Sequence, residues 1–178
     1  KDISTVGGNI AMNAGGLLCA KYGVTREAVL ALTVVLADGR LISVGHRTVK
    51  GVTGYDLCAL MIGSEGTLGV IVKCTLALRP VVTGPRPVVA ASFPSVIAAS
   101  AAASAVTAEG LTPALLELMD GPTVECVEQR RGRRIGSAGS SFLLAQTDGP
   151  EADEVAGRIA AIFEAAGGEV RAAEDEAE

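Results

Sequence analysis

The stretch TVGGNIAMNAGG, Thr5 to Gly16, decides how the rest of the chain is read. Its glycines remove the Cβ atoms that hold a ligand away from the backbone. They also permit positive φ angles, which turn successive N–H groups toward one point. An anion or the polar edge of a ring is the natural occupant. Asn9 and Asn13 add amides that donate and accept, which suits the carbonyl and N–H edge of a heterocycle. Taken alone, the stretch reads equally well as a glycine-rich loop with no ligand. A second cluster, GSEGTLGVIV from Gly63 to Val72, favours the ligand.

Outward from the first loop, LLCAKYG (Leu17 to Gly23) carries Tyr22 where a loop can close over a bound ring. VLALTVVLADGRLISVG, Val29 to Gly45, reads as two β-branched runs joined by Asp38-Gly39, a pair that favours a type I′ hairpin turn. Val34, Leu36, Leu41 and Val44 are assigned to the core. His46 is the only histidine, and on a loop it reads as a surface residue. YDLCALMIGSEG has the marks of a short helix: Asp56 caps it, Leu57, Leu60 and Met61 share a face, and Gly63 stops it. The polar run Ser64, Glu65, Gly66, Thr67 then leads through Gly69 into a strand, Val70 to Leu78. The backbone of Val70 and Ile71, at its exposed start, can pair with a planar heterocycle.

From Arg79 to Pro87 three prolines and a glycine mark a linker. Beyond it strands and helices alternate: Val88–Phe93, a helix from Ser95 stopping at Gly110, Ala114–Met119, a helix from Pro122 to about Gln129, Phe142–Gly149, a helix Pro150–Ala166, and Glu169–Ala173. On the third helix Val155, Ile159, Ile162 and Phe163 share a face. Two β-α-β units in tandem predict a ferredoxin-like sandwich with an antiparallel sheet. Glu117 and Asp120 can face a substrate, with plain solvation the simpler reading. Arg130 to Arg134, RRGRR, suits a phosphate or an acidic partner, with a solvated loop the simpler reading.

Composition limits the function. The chain has 178 residues, 49% of them hydrophobic, which is enough for a sizeable core. A net charge of −5 and 3% aromatics without tryptophan argue against nucleic acid as a partner. Cys19, Cys58, Cys74 and Cys126 lack metal-ligand spacing, so no metal is expected, and buried reduced thiols in a cytoplasmic protein are the default. No apolar run reaches the roughly 18 to 20 residues of a membrane span. The chain starts at Lys1 and ends in the acidic run Glu174–Glu178, which reads as an excerpt of a longer protein.

TVGGNIAMNAGG, KYG, LADG, RTVKGVTGYDL and GSEGTLGVI, in that order over Thr5 to Ile71, resemble the second half of the FAD-binding domain of the vanillyl-alcohol oxidase and para-cresol methylhydroxylase superfamily. Within it the likeness is to the group that holds the flavin-bearing glycolate oxidase chain GlcD and the D-lactate or D-2-hydroxyacid dehydrogenases. The resemblance implies an α+β fold. Residues 1–80 would be the C-terminal part of a PCMH-type FAD-binding domain, 81–87 the linker, and 88–178 an incomplete FAD-linked oxidase cap with a ferredoxin-like antiparallel sheet. LELMDGPTVE, Leu116 to Glu125, is similar to the cap's strand and turn.

The resemblance implies FAD as cofactor and carries its contacts onto Gly7, Gly8, Asn9, Ala11, Asn13, Gly15 and Gly16, and further onto Tyr22, Glu65, Gly69, Val70 and Ile71. For Glu65 a carboxylate accepting loop N–H groups is an equal alternative. The implied activity is oxidation of a small 2-hydroxy acid of the glycolate or D-lactate class by hydride transfer to flavin N5. A flavin- or nucleotide-binding module without redox activity, or the assembly half of a multi-subunit oxidase, remains an alternative. The resemblance puts the pyrophosphate loop, the catalytic base and any metal ligands outside these residues, so the excerpt alone is expected to be inactive and to hold FAD weakly or not at all. It leaves the electron acceptor open among oxygen, a quinone, a partner iron–sulfur or other electron-transfer subunit and another flavoprotein.

Overall fold

The computed structural model describes residues 3–135 and 140–172, so the run Glu174–Glu178 and the end of the expected last strand at Ala173 lie outside the described residues. The chain divides into two compact units, Lys1–Gly16 with Tyr22–Pro80, and Leu17–Lys21 with Val81–Glu178.

The first unit is a three-stranded antiparallel sheet with helices on one face. Strands β1 (Val29–Val35), β2 (Leu41–Gly45) and β3 (Val70–Leu76) lie in the order β2-β1-β3. Helices α1 (Val6–Met12) and α3 (Leu57–Met61) close the core, joining Ile10, Cys58, Met61 and Ile62 to Leu32, Val34 and Val44. Strand alternation explains the choice, since Leu32 and Val34 project from the same side of β1. It also corrects the expectation for Leu41. Ile42 and Val44 take the inward side of β2, so Leu41 faces outward and is 65% exposed, while Leu36 is half-buried against the core. β3 ends at Leu76, two residues before the expected limit, and Leu78 is exposed.

The β1–β2 hairpin forms where expected with a different turn. Gly39 N donates to Leu36 O and Leu36 N to Arg40 O, both at 2.9 Å, leaving a three-residue connection. Only Gly39, at φ 83, is left-handed. Asp38 stays right-handed because its carboxylate accepts from Arg40 N at 3.1 Å and Arg40 Nε at 2.6 Å, an Asx-turn that competes with type I′ geometry. These bonds hold the Asp38 carboxyl below its ordinary value.

The second unit is the expected ferredoxin-like sandwich. Strands β4 (Val88–Phe93), β5 (Leu115–Met119), β6 (Ser141–Gln146) and β7 (Glu169–Ala172) pair antiparallel throughout, in the order β5-β6-β4-β7. Helices α4 (Val96–Ala108) and α6 (Ala152–Ala165) cover one face. Ser95 Oγ accepts from Ala98 N at 3.2 Å and so caps α4. Ala99, Ala102 and Val106, at i, i+3 and i+7, are fully buried, and their small size lets α4 sit close to the sheet. On α6 the buried positions are Ala152, Ala156, Ile159 and Phe163, with Val155 and Ile162 at the margin of the same face. Phe163 meets Phe93 of β4 edge to face, centroids 5.8 Å apart.

Helix α5 (Gly121–Arg131) covers the other face, where Val124 packs with Ala90 and Phe142. β4 is thus covered on both sides, and all its residues after Val88 are buried, Ser92 among them. The segment 77–87 contains neither helix nor strand. Among the described residues no helix is long and apolar enough to cross a membrane.

Candidate functional site

The first glycine-rich stretch is largely helix rather than loop. Thr5 is extended at φ −105, ψ 152, and its Oγ1 accepts from Gly8 N at 3.0 Å, which is the bond that starts α1. Gly7, Gly8, Asn9 and Ala11 therefore have helical backbone. The positive φ expected of the glycines falls instead on Asn13, at φ 45, with Asn13 N donating to Ile10 O and Ala14 N to Asn9 O. Asparagine tolerates this conformation better than other residues with a side chain, and here it ends the helix.

The glycines differ in what they leave open. An added Cβ at Gly7 or Gly16 meets no atom within 4 Å, whereas at Gly8 it comes within 2.9 Å of Thr5 Oγ1. The protein's own packing thus gives no reason for glycine at 7 and 16. A bare backbone there fits a ligand lying against it. Val6 and Met12 on the same helix, and Val70 at the start of β3, expose apolar surface that fits a flat ring.

The second glycine cluster is bonded directly to the first. Gly63 N donates to Ile10 O at 3.0 Å and Glu65 N to Ala11 O at 2.9 Å. Gly63, at φ 75, stops α3, and a Cβ on it would lie 3.1 Å from Asn13 Cβ. α3 itself begins with Asp56, whose Oδ1 accepts from Ala59 N at 2.9 Å. Glu65 is left-handed at φ 53, a strained conformation for a side-chain-bearing residue. The turn after it closes through Thr67 N and Oγ1, both donating to Ser64 O. Gly69 has a packing reason of its own, since a Cβ would lie 2.7 Å from both Val34 Cγ1 and Val35 O. Val70 and Ile71 pair with Val35 and Val34 of β1, with Val70 exposed and Ile71 turned toward the core.

Tyr22 is the expected site residue held by another partner, its ring lying 5.6 Å from the Arg79 guanidinium. Asn13 Oδ1 accepts from Arg26 N at 3.0 Å, so half of that amide fixes the loop. Thr25 and Arg26 are supporting residues that no motif signalled. Thr25 donates to Ala14 O through both N (3.1 Å) and Oγ1 (2.8 Å), and Arg26 Nη2 reaches Ala59 O at 3.4 Å. Arg26 also borders a cleft of 450 Å³, lined among others by His46, Thr53, Tyr55, Asp56 and Cys58. Burial and then the nearby Asp56 carboxylate push the Cys58 thiol above its ordinary value, so it stays protonated and inert at neutral pH. His46 is exposed as expected, with Nδ1 2.7 Å from Thr48 O. Asp120 caps α5, accepting from Thr123 N at 2.9 Å, and hydrogen bonds from the Thr123 side chain and then its backbone lower the Asp120 pKa.

Among the described residues no group of histidine, cysteine, aspartate and glutamate can hold a metal. None of the four cysteines is in a disulfide, with Cys58 buried as expected, Cys19 and Cys74 half-buried and Cys126 exposed. Cys126 departs from the expectation because it lies on the outer side of α5, away from Val124.

Along the chain, an antiparallel sheet bearing two joined glycine-rich segments is followed by a ferredoxin-like sandwich. Residues 84–178 match the family model for the C-terminal domain of FAD linked oxidases, and residues 1–45 match the FAD binding domain. The chain belongs to the FAD-linked oxidase family, and its cofactor is FAD.

Two relatives are similar over most of the chain. Glycolate oxidase subunit GlcD of Bacillus subtilis is 40% identical over 83% of this chain and 31% of its own length. D-lactate dehydrogenase of Archaeoglobus fulgidus is 42% identical over 89% of this chain and 36% of its own. The chain therefore spans about a third of the length of these relatives. An alkyldihydroxyacetonephosphate synthase structure shares the fold at TM-score 0.73 and 17% identity, covering 97% of this chain and 35% of that one. The BBE-like 1 protein of Physcomitrella patens shares it at 0.55 and 17%, over 96% and 32%.

Proposed function

We propose that this chain is the part of an FAD-dependent 2-hydroxy acid oxidase or dehydrogenase that holds one side of the flavin and begins the domain covering it. Residues 1–80 serve as the C-terminal part of the FAD-binding domain, 81–87 as linker, and 88–178 as the substrate-side cap. The substrate is a small 2-hydroxy acid of the glycolate or D-lactate class, a reading supported by the names of the two relatives. When bound, FAD supplies a hydride acceptor for the C2 hydrogen of the acid.

What this chain contributes is placement. The observation that carries the reading is the pair of bonds from Gly63 N and Glu65 N to Ile10 O and Ala11 O, which make one surface of the two glycine-rich stretches. Gly7, Gly8, Asn9, Ala11, Asn13, Gly15 and Gly16 line the flavin from one stretch, with Glu65, Gly69, Val70 and Ile71 from the other and Tyr22 beside them. A surface fixed in advance orients its ligand without ordering loops at the moment of binding. The base that takes the hydroxyl proton belongs to other parts of the whole protein. The partner set is the acid together with an iron–sulfur or other electron-transfer subunit, a reading supported by the Bacillus relative, which is itself one subunit of an oxidase. Four cysteines outside any disulfide support a reducing, cytoplasmic compartment.

The test is purification of the full-length protein, an absorption spectrum, and anaerobic titration with glycolate, D-lactate and D-2-hydroxyglutarate. Bound yellow flavin bleached by one of these acids is expected. A colourless protein, or a flavin that none of them reduces, would overturn the assignment.

A further inference from the structure

The RRGRR segment forms a pinned corner of the second unit. Arg130 and Arg131 end α5, and Gly132 closes it at φ 65 with its N–H donating to Glu128 O at 2.8 Å. The chain then folds back, and Ile135 N donates to Glu128 Oε1 at 2.7 Å. The Ile135 side chain packs on the core of Ala90, Val124 and Phe142. From β7, Arg171 Nη1 donates to Ile135 O at 3.1 Å. The segment is exposed, as the sequence suggests, and it is fastened at both ends of Ile135 and at Gly132.

This corner gathers five guanidinium groups, those of Arg130, Arg131, Arg133, Arg134 and Arg171. Glu128 lies within it, Glu125 is one turn back along α5, and Glu169 is two positions before Arg171. With all three counted, a surplus of two positive charges remains. The rest of the unit has the opposite sign. Over Leu17–Lys21 and Val81–Glu178 there are fifteen Asp and Glu against eight Lys and Arg, and five of those eight stand here.

We propose that this corner is a docking surface for a short acidic segment of a protein partner. Guanidinium forks pair carboxylates through two parallel bonds, and a pinned turn presents them with little ordering left to do. The sign reversal around the corner selects the size of the partner. Duplex DNA or an anionic membrane extends past the arginines and meets the acidic remainder of the unit, whereas a few adjacent carboxylates do not. The proposal is independent of the flavin reaction.

The experiment uses the full-length protein and three probes: a fluorescent deca-glutamate peptide, a 20-base-pair DNA duplex, and vesicles containing phosphatidylserine. The peptide is expected to bind best, and its affinity to fall as salt is raised from 50 to 500 mM, on the order of tenfold or more for exposed charge pairing. Arg130→Glu with Arg134→Glu should weaken peptide binding by about tenfold or more, and Arg130→Gln with Arg134→Gln by less, without moving the thermal midpoint. Should the charge-reversed protein fail to fold, the neutral pair and the salt series decide. Tighter binding of DNA or vesicles than of the peptide would overturn the proposal. So would peptide binding unchanged in the neutral pair or indifferent to salt.

Discussion

Replacing Gly7 with alanine separates two reasons for which a chain keeps a glycine. Gly7 lies in the first turn of α1, its φ is not positive, and an added Cβ meets no atom within 4 Å. The protein alone therefore gains from alanine, which restricts the unfolded chain and fits a helix better, by about 0.5–1 kcal/mol. The cofactor loses. A flavin resting on that backbone meets a methyl group where it had open space, and overpacking of this kind costs about 1–3 kcal/mol, or roughly 5- to 150-fold in affinity. The two effects have opposite signs, which is what makes the substitution diagnostic. The assay is denaturant unfolding of the full-length apoprotein beside a fluorescence titration with FAD, comparing Gly7→Ala with the parent. A variant of raised stability that binds FAD with unchanged affinity would refute the cofactor surface at Gly7. Lowered stability would refute the steric argument itself.

Gly69→Ala should behave in the reverse way, because its Cβ would lie 2.7 Å from the β1 backbone at Val35 O; a loss of about 1–3 kcal/mol in apoprotein unfolding is expected. Phe163→Ala removes a fully buried ring that packs edge to face on Phe93 and should destabilise the second unit by about 3–5 kcal/mol, read as a lowered denaturation midpoint. In thiol titration of the native protein, exposed Cys126 should react at once and buried Cys58 only on unfolding. Because the Cys58 pKa is raised above 9.0 in the fold, the unfolded chain ionises first. Its contribution to stability is whole below that value and lost as pH climbs through the folded pKa, and Cys58→Ala should flatten this alkaline fall in the unfolding midpoint.

The alternation of strands and helices from Val88 onward was legible because each element carries its own local signal. Ser95 starts α4 and Gly110 closes it, and the apolar face of α6 repeats at helical spacing up to Gly167, whereas the Asp120 cap and the Gly132 stop of α5 emerged only in the structure. The sheet order β5-β6-β4-β7 follows once those elements are fixed, since a tandem pair of β-α-β units has few ways to bury both faces of β4. The hairpin turn was misread because one dipeptide, Asp38-Gly39, admits two turn types, and the choice rested on the contact of Asp38 with Arg40.

The glycine stretch was harder, because helix and loop compete there on small margins. Gly7 and Gly8 disfavour helix by roughly 1 kcal/mol each. Thr5 offsets part of this by capping Gly8 N, and burial of Ile10 against the sheet supplies much of the rest. Neither gain is visible in the spacing of glycines. The helix in turn explains the site. By ending at a left-handed Asn13 it directs the carbonyls of Ile10 and Ala11 to Gly63 and Glu65, so within the first stretch the acceptors that hold the second are not its glycines. Sequence motifs marked the two stretches, and the burial of Ile10 inside the first is what seats α1 against the core of the sheet and leaves its carbonyl facing Gly63.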